Sequence, residues 1–371
     1  MQIGVPKEVK NHEYRVGLTP DSVQELVSAG HQVLVEQDAG AAIDFTDEHF
    51  RRAGAVISPS AAEVFARADM IIKVKEPQPD ECRMLRTGQL LFTYLHLAAD
   101  PNQASLLLKS GAIAMAYETV TDDRGHLPLL APMSEVAGRM AVQAGAHHLE
   151  KAQGGRGVLL GGVPGVAPAR VLILGGGVVG SNAAGVALGI GADVTIMDRS
   201  VDRLRELDRM FPESIRCVYA TGAAIESYLP EADLVIGAVL LPGASAPRLV
   251  TREMVGRMKP GAVVVDVAID QGGCFATSRP TSHQDPTYVV DGVIHYCVTN
   301  MPGGVARTAT QALNNVTLPF VLQLADNPVR ALLTNANLRN GLNIHCGRVT
   351  HKAVADSLGH DFTDAFEALK K

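Results

Sequence analysis

The stretch R-V-L-I-L-G-G-G-V-V-G at residues 170–180 reads as a strand that feeds a glycine turn and then opens a helix. Gly175, Gly177 and Gly180 satisfy G-x-G-x-x-G, a spacing that says little alone. Its surroundings strengthen it. The next apolar strand, D-V-T-I-M-D, ends at Asp198, 18 residues beyond Gly180, about where a dinucleotide fold puts its ribose acceptor. Gly175 permits the tight turn, Gly177 lets a pyrophosphate approach the backbone, and Gly180 lets helix pack on strand. The helix N-terminus offers unpaired N–H groups and partial positive charge to the phosphates. Asp198 would accept from ribose hydroxyls and repel a 2′-phosphate. NAD is therefore expected rather than NADP, although Arg199 stands next to that carboxylate.

Outward from this motif the chain alternates apolar strands with helical patterns on both sides. R-V-L-I-L-G, D-V-T-I-M-D, I-R-C-V-Y-A, A-D-L-V-I-G-A-V and A-V-V-V-D-V-A-I-D form one series. An earlier series runs from I-G-V-P-K-E through H-Q-V-L-V-E, A-V-I-S, M-I-I-K-V-K-E and Q-L-L-F-T-Y-L-H to A-I-A-M-A-Y-E. Near-continuous apolar strands between helices indicate parallel sheets covered on both faces. The expected fold is α/β with two doubly wound domains: a Rossmann NAD-binding domain inserted into a discontinuous substrate domain, with a cleft between them. We expect residues 1–128 as the first part of the substrate domain, 129–306 as the Rossmann domain, and 307–371 as the returning part. Those last 65 residues are too few to bury a core of their own.

Composition narrows the function classes. Hydrophobic residues make up 47% and charged residues 19% of the 371, ordinary for a folded protein. A net charge of −6 without a basic stripe argues against a nucleic-acid partner. Residues 171–192 carry no charge and approach bilayer-spanning length, but they hold seven glycines, which a nucleotide-binding turn explains and a membrane span does not. Five scattered cysteines without a C-x-x-C pair suit reduced thiols. M-Q-I-G-V-P-K-E has no signal-peptide pattern. A cytoplasmic chain without membrane contact is expected.

In open parallel sheets, ligands sit beyond the carboxyl ends of the strands. Those positions hold Lys75, His96, Glu118 and Asp270, and Arg15 lies in the loop after the first strand. Each alone is an ordinary loop charge. Together they make a constellation: Arg15 offers a planar fork for a carboxylate, Lys75 a point charge for a carbonyl, and His96 a proton exchanged near neutral pH. Asp270 comes from the nucleotide-binding series. Beside a nicotinamide, the set suits oxidation at a carbon that bears an amine or hydroxyl next to a carboxylate.

These segments carry a wider likeness. G-V-P-K-E-V-K-N-H-E-Y-R-V, K-V-K-E-P, F-T-Y-L-H-L-A, L-L-A-P-M-S-E-V-A-G-R, Q-G-G-R-G-V-L-L-G-G-V-P-G-V, V-D-V-A-I-D-Q-G-G-C-F and V-T-N-M-P-G follow in order along nearly the whole chain. The sequence resembles the alanine dehydrogenase/pyridine nucleotide transhydrogenase family, on its L-alanine dehydrogenase side. The resemblance implies NAD-dependent, reversible oxidative deamination of L-alanine to pyruvate and ammonium. It implies Arg15 and Lys75 on the substrate, and His96 and Asp270 in acid–base catalysis. For NAD it implies Ser134, the turn with Gly175, Gly177, Val178, Val179 and Gly180, then Asp198 and Arg203. Val239, Leu240, Val267, Ala268, Ile269, Asp270, Val298, Asn300 and Met301 would complete that site. It also implies a homo-oligomer, a hexamer.

Two features depart from the family pattern. Ala220 lacks a hydroxyl that relatives carry near the adenosine, with Thr221 beside it as a substitute. Gln323 and Asn327 stand where some relatives place a Glu–His metal pair, so no metal is expected. The rival reading is the soluble NAD(H)-binding subunit of a proton-translocating transhydrogenase, which needs no amino-acid clamp. A saccharopine-type dehydrogenase is a further rival, but it needs room for a long substrate, whereas Tyr94 and Met133 would suit a methyl group.

Overall fold

Fifteen strands form two sheets in the computed structural model, which describes residues 1–239 and 246–370. The first sheet uses β1 (Gln2–Val5), β2 (Gln32–Glu36), β3 (Val56–Ser58), β4 (Met70–Ile72), β5 (Leu90–Thr93) and β6 (Ile113–Ala116), all parallel. The second uses β7 (Arg170–Leu174), β8 (Asp193–Asp198), β9 (Arg216–Tyr219), β10 (Leu234–Gly237) and β11 (Val263–Asp266), also parallel, then β12 (Thr287–Val290) and β13 (Val293–Tyr296). The first sheet is finished by β14 (Leu342–His345) and β15 (Arg348–Val349), antiparallel at its edge.

Strand order in the first sheet is β15-β14-β6-β5-β4-β1-β2-β3, and in the second β12-β13-β11-β10-β7-β8-β9. Both are doubly wound: the order reverses beside β1 in one and beside β7 in the other, where such sheets bind ligands. Alternate residues of the second sheet enter opposite cores. Ile173, Ile196, Ile236 and Val265 pack on one face, and Leu172, Met197, Val235 and Val264 on the other. That two-sided burial is why the central strands read as unbroken apolar runs.

The chain divides into two units, Met1–Met133 with Val305–Lys371, and Ser134–Gly304. The returning segment starts with the helix Ala306–Asp326, which buries Ala309, Leu313, Val321 and Leu324 in the core of the first unit. Its polar residues also hold the loop after β1. Thr310 Oγ1 accepts from the Val16 N–H at 3.3 Å, and Asn314 Oδ1 from the Thr19 N–H at 2.9 Å. The loop that carries Arg15 is thereby fixed by residues almost 300 positions away. No helix among the described residues is long and apolar enough to cross a membrane.

Side-chain caps fix the start of helices in the first unit. Thr19 caps the helix Pro20–Ser28, its side chain accepting from the Ser22 N–H, with Pro20 opening the first turn. Thr46 caps Asp47–Arg52 in the same way, accepting from the His49 N–H. The two antiparallel hairpins are absent from the alternating pattern. β12 and β13 are joined by Asp291-Gly292, with φ of 49° and 81°; β14 and β15 are joined by Cys346-Gly347, with φ of 46° and 82°. Positive φ at both central residues marks the turn that matches strand twist.

Candidate active site

In the second unit the nucleotide motif forms as its spacing predicts. Gly175 has φ 103°, and a Cβ there would lie 2.8 Å from the Ala238 carbonyl oxygen. A Cβ on Gly180 would lie 1.9 Å from the Gly175 oxygen, so only hydrogen permits this helix–turn contact. A Cβ on Gly177 would meet nothing within 4 Å. Its backbone therefore borders open space. The helix Val178–Ile190 has no side-chain cap at Gly177, which leaves the first N–H groups to an outside acceptor. These features fit a bound pyrophosphate.

Asp198 ends β8 beside this turn. Its Oδ2 accepts from the Gly176 N–H at 2.7 Å and its Oδ1 from the Ser200 N–H at 2.8 Å. Each oxygen keeps a second acceptor site for a ribose hydroxyl. Arg203 donates Nε–H to the Gly176 oxygen at 2.6 Å and Nη1–H to Glu206 at 2.6 Å, so it braces the turn from outside. Ser134 lies half-buried one helical turn before Gly138. At Gly138 a Cβ would come 2.2 Å from the Val179 oxygen, which draws that helix against the turn.

Val178 is exposed, Val179 buried and Val239 half-buried; Leu240 lies outside the described residues. Val267, Ala268, Ile269 and Asp270 share a short 3₁₀ helix after β11, with Asp270 exposed. Asp266, which caps this helix, is fully buried. Its carboxylate accepts from the N–H groups of Ala268 and Cys274 at 3.1 and 2.9 Å and from the Ser278 hydroxyl at 2.6 Å. The two aspartates of V-D-V-A-I-D thus divide: Asp266 shapes the segment and Asp270 is presented. Val298 and Met301 are buried, and Asn300 is half-buried with φ 56°, its carbonyl oxygen 3.1 Å from His283 Nε2. Thr221 accepts from the Ala224 N–H as a helix cap at 3.0 Å, and Asn327 caps the helix Pro328–Thr334. Both therefore have structural duties.

In the first unit, Arg15 is buried and paired with Glu13. Its Nε and Nη2 donate to the two oxygens of Glu13 at 2.6 and 2.5 Å, and Nη1 lies 3.1 Å from Met133 Sδ. The full fork is therefore not open to a ligand, which would be met through the Nη nitrogens. Lys75 is half-buried after β4. Its N–H points at Glu8 Oε1 at 3.3 Å, and its carbonyl accepts from the Thr93 hydroxyl at 2.9 Å.

Glu8 also accepts from the Val74 N–H at 2.6 Å and from Lys73 Nζ at 3.0 Å, while Lys73 reaches Glu81 at 2.8 Å. Burial pushes the Glu8 carboxyl up and Lys73 opposes it. This buried triad sets the backbone of K-V-K-E. The sequence reading does not find this triad: Lys73 and Lys75 are two residues apart, and strand alternation would put them on the same face, so local spacing gives no sign that Lys73 is the buried one.

His96 is half-exposed, with φ 51°. Its N–H donates to Glu118 Oε1 at 2.6 Å, and the Leu95 N–H donates to the same carboxylate. Its ring stacks on Tyr94 at 5.9 Å between centroids, and Tyr94 donates its hydroxyl to the Leu129 oxygen at 2.6 Å. Burial disfavours the charged imidazole, yet the facing Glu76 and Glu118 outweigh burial and the Lys75 charge and raise its pKa above the ordinary value. Arg15, Lys75 and His96 thus occupy one neighbourhood, with Tyr94 touching His96 and lying in the field of Arg15.

Comparison with known proteins shows the family. The models of the alanine dehydrogenase/PNT N-terminal and C-terminal domains match residues 4–137 and 141–352. The chain belongs to the alanine dehydrogenase/PNT family. Among its relatives in that family is an alanine dehydrogenase of Halomonas elongata, 58% identical over 98% of this chain and 99% of the other. A solved L-alanine dehydrogenase shares 53% identity and superposes with a TM-score of 0.94, covering 97% of this chain and 99% of that one. A transhydrogenase from Sinorhizobium meliloti superposes at 0.81 with 26% identity, covering 95% and 100%.

Proposed function

We propose that this chain catalyses the NAD-dependent, reversible oxidative deamination of L-alanine to pyruvate and ammonium. The observation that carries the reading is the company of Arg15, Lys75 and His96 at one sheet's carboxyl edge, in a chain 58% identical to a protein named alanine dehydrogenase. Ser134, Gly175, Gly177, Val178, Val179, Gly180, Asp198, Arg203, Val239, Leu240, Val267, Ala268, Ile269, Asp270, Val298, Asn300 and Met301 are proposed to hold the dinucleotide. A cytoplasmic homo-oligomer, hexameric by resemblance, belongs to the same proposal.

NAD supplies the hydride acceptor for the alanine Cα. Arg15 takes the substrate carboxylate through its Nη nitrogens, while Glu13 keeps the guanidinium from turning. Lys75 places a positive charge on the carbonyl oxygen as it forms. When the substrate nitrogen has become an iminium, water adds to carbon. His96 removes that water's proton and returns it to nitrogen; as the C–N bond breaks and ammonia leaves, the neutral imidazole takes the remaining hydroxyl proton, so that pyruvate remains. Asp270 is proposed as the second acid–base group. Proton transfer of this kind contributes about 10²- to 10⁴-fold.

The test is NADH formation, followed by absorbance, from purified protein with NAD and L-alanine against a control without alanine. Alanine-dependent NADH supports the proposal. The likeness to a transhydrogenase favours one competing outcome: silence with alanine, together with hydride exchange between NADH and an NAD analogue once partner membranes are added.

A further inference from the structure

Glu76 follows Lys75 directly and precedes Pro77, at the mouth of the loop after β4. Its side chain is largely buried, and Oε1 pairs with Lys10. Oε2 is buried and has no hydrogen-bond partner, a costly state for a charged oxygen. His96 Nδ1 lies 3.8 Å from this oxygen. We propose that Glu76 is a positioning residue for the reaction, its Oε2 holding His96 through Nδ1 and so directing Nε2 to the substrate.

The chemistry is that of a carboxylate behind a working imidazole. A carboxylate on one ring nitrogen fixes the tautomer and orientation and stabilises the imidazolium when a proton arrives. A distance of 3.8 Å is ion-pair reach, and such contacts commonly tighten when substrate is bound. Lys10 clamps the other oxygen, so Glu76 can approach His96 only through Oε2. The remaining charged groups facing His96 are Glu118, which is committed to the backbone N–H groups, and Lys75, which opposes protonation. Glu76 itself faces Lys10, Lys75 and His96, and these hold its carboxyl well below the ordinary range despite burial. It is therefore ionised throughout the range in which His96 titrates.

The inference rests on the proposed deamination for its kinetic consequence, but the pairing can be read without turnover. Glu76→Gln keeps the shape and removes the charge. The His96 imidazole, followed by NMR in protein with labelled histidine, should then titrate about one pH unit lower than in the unchanged protein. Glu76→Asp, which restores the charge, should recover most of that shift. In alanine oxidation His96 must be neutral to accept a proton, so the rising limb of kcat against pH should move to lower pH in Glu76→Gln. An unchanged His96 titration in a folded Glu76→Gln protein overturns the inference, as does a shift that Glu76→Asp fails to reverse. A lowered titration in protein that never reduces NAD with alanine keeps the pairing and sinks the deamination reading instead.

Discussion

Glu118 Oε1 lies 2.6 Å from the His96 backbone nitrogen, at the point where the chain turns into the left-handed region with φ 51°. A non-glycine residue in that region is uncommon and is sustained by its surroundings. Here the carboxylate takes two successive N–H groups and fixes the direction in which the imidazole leaves the loop. Glu118→Ala should therefore lower kcat more than it raises the KM for NAD, and should destabilise the fold by about 2 kcal/mol. Urea unfolding and steady-state kinetics on the same preparation test this; unchanged kcat in a folded variant would refute it.

His96→Asn separates backbone from chemistry. Asparagine tolerates the left-handed region but cannot relay a proton. Turnover should fall by about 10²- to 10⁴-fold with little change in NAD binding measured by fluorescence quenching or calorimetry.

Arg15→Lys should weaken pyruvate saturation, because a point charge cannot replace a fork, and it also releases the second oxygen of Glu13. The KM for pyruvate is the measurement. If it does not move, Arg15 is not the carboxylate clamp.

Two glycines in the helix Val178–Ile190 should behave in opposite ways. Gly180→Ala puts a Cβ 1.9 Å from the Gly175 oxygen and should abolish NAD binding. Gly189→Ala meets nothing within 4 Å on an exposed helical turn and should stabilise by about 0.5–1 kcal/mol. Thermal unfolding with and without NAD distinguishes them.

Lys73→Met leaves Glu8 and Glu81 buried without their common cation and should cost about 3–5 kcal/mol. The sign of its pH dependence follows from Glu8, whose folded pKa is already raised by burial. Without Lys73 it rises further, so the folded variant can take up a proton at mildly acid pH. The loss should be smaller at pH 5 than at pH 8, as read by urea midpoints.

Much of this molecule is legible in local order. Strands such as V-L-I-L and V-V-V-D are apolar throughout because both sheet faces are covered, and that pattern survives any rearrangement of the loops. The glycine turn is equally local, since its steric demands fall within about ten residues. Asp198 was legible as a carboxylate at a strand end. Its bonds to Gly176 and Ser200 follow from the strand pairing that brings β8 beside β7.

Other features needed the folded chain. The hairpins at Asp291-Gly292 and Cys346-Gly347 stand outside the alternating pattern, and their place at the sheet edges depends on pairing with β11 and β6. Which aspartate of V-D-V-A-I-D is presented depends on Cys274 and Ser278 arriving to satisfy Asp266. The inward face of Lys73 depends on Glu8, 65 residues away. Arg15 is immobilised by Glu13, two residues off, but its loop is anchored by Thr310 and Asn314 from the other end of the chain. Short-range sterics and hydrophobic period are written into neighbouring residues. A buried charge finds its partner only when distant segments meet, and that pairing makes a loop lysine or histidine a candidate for chemistry.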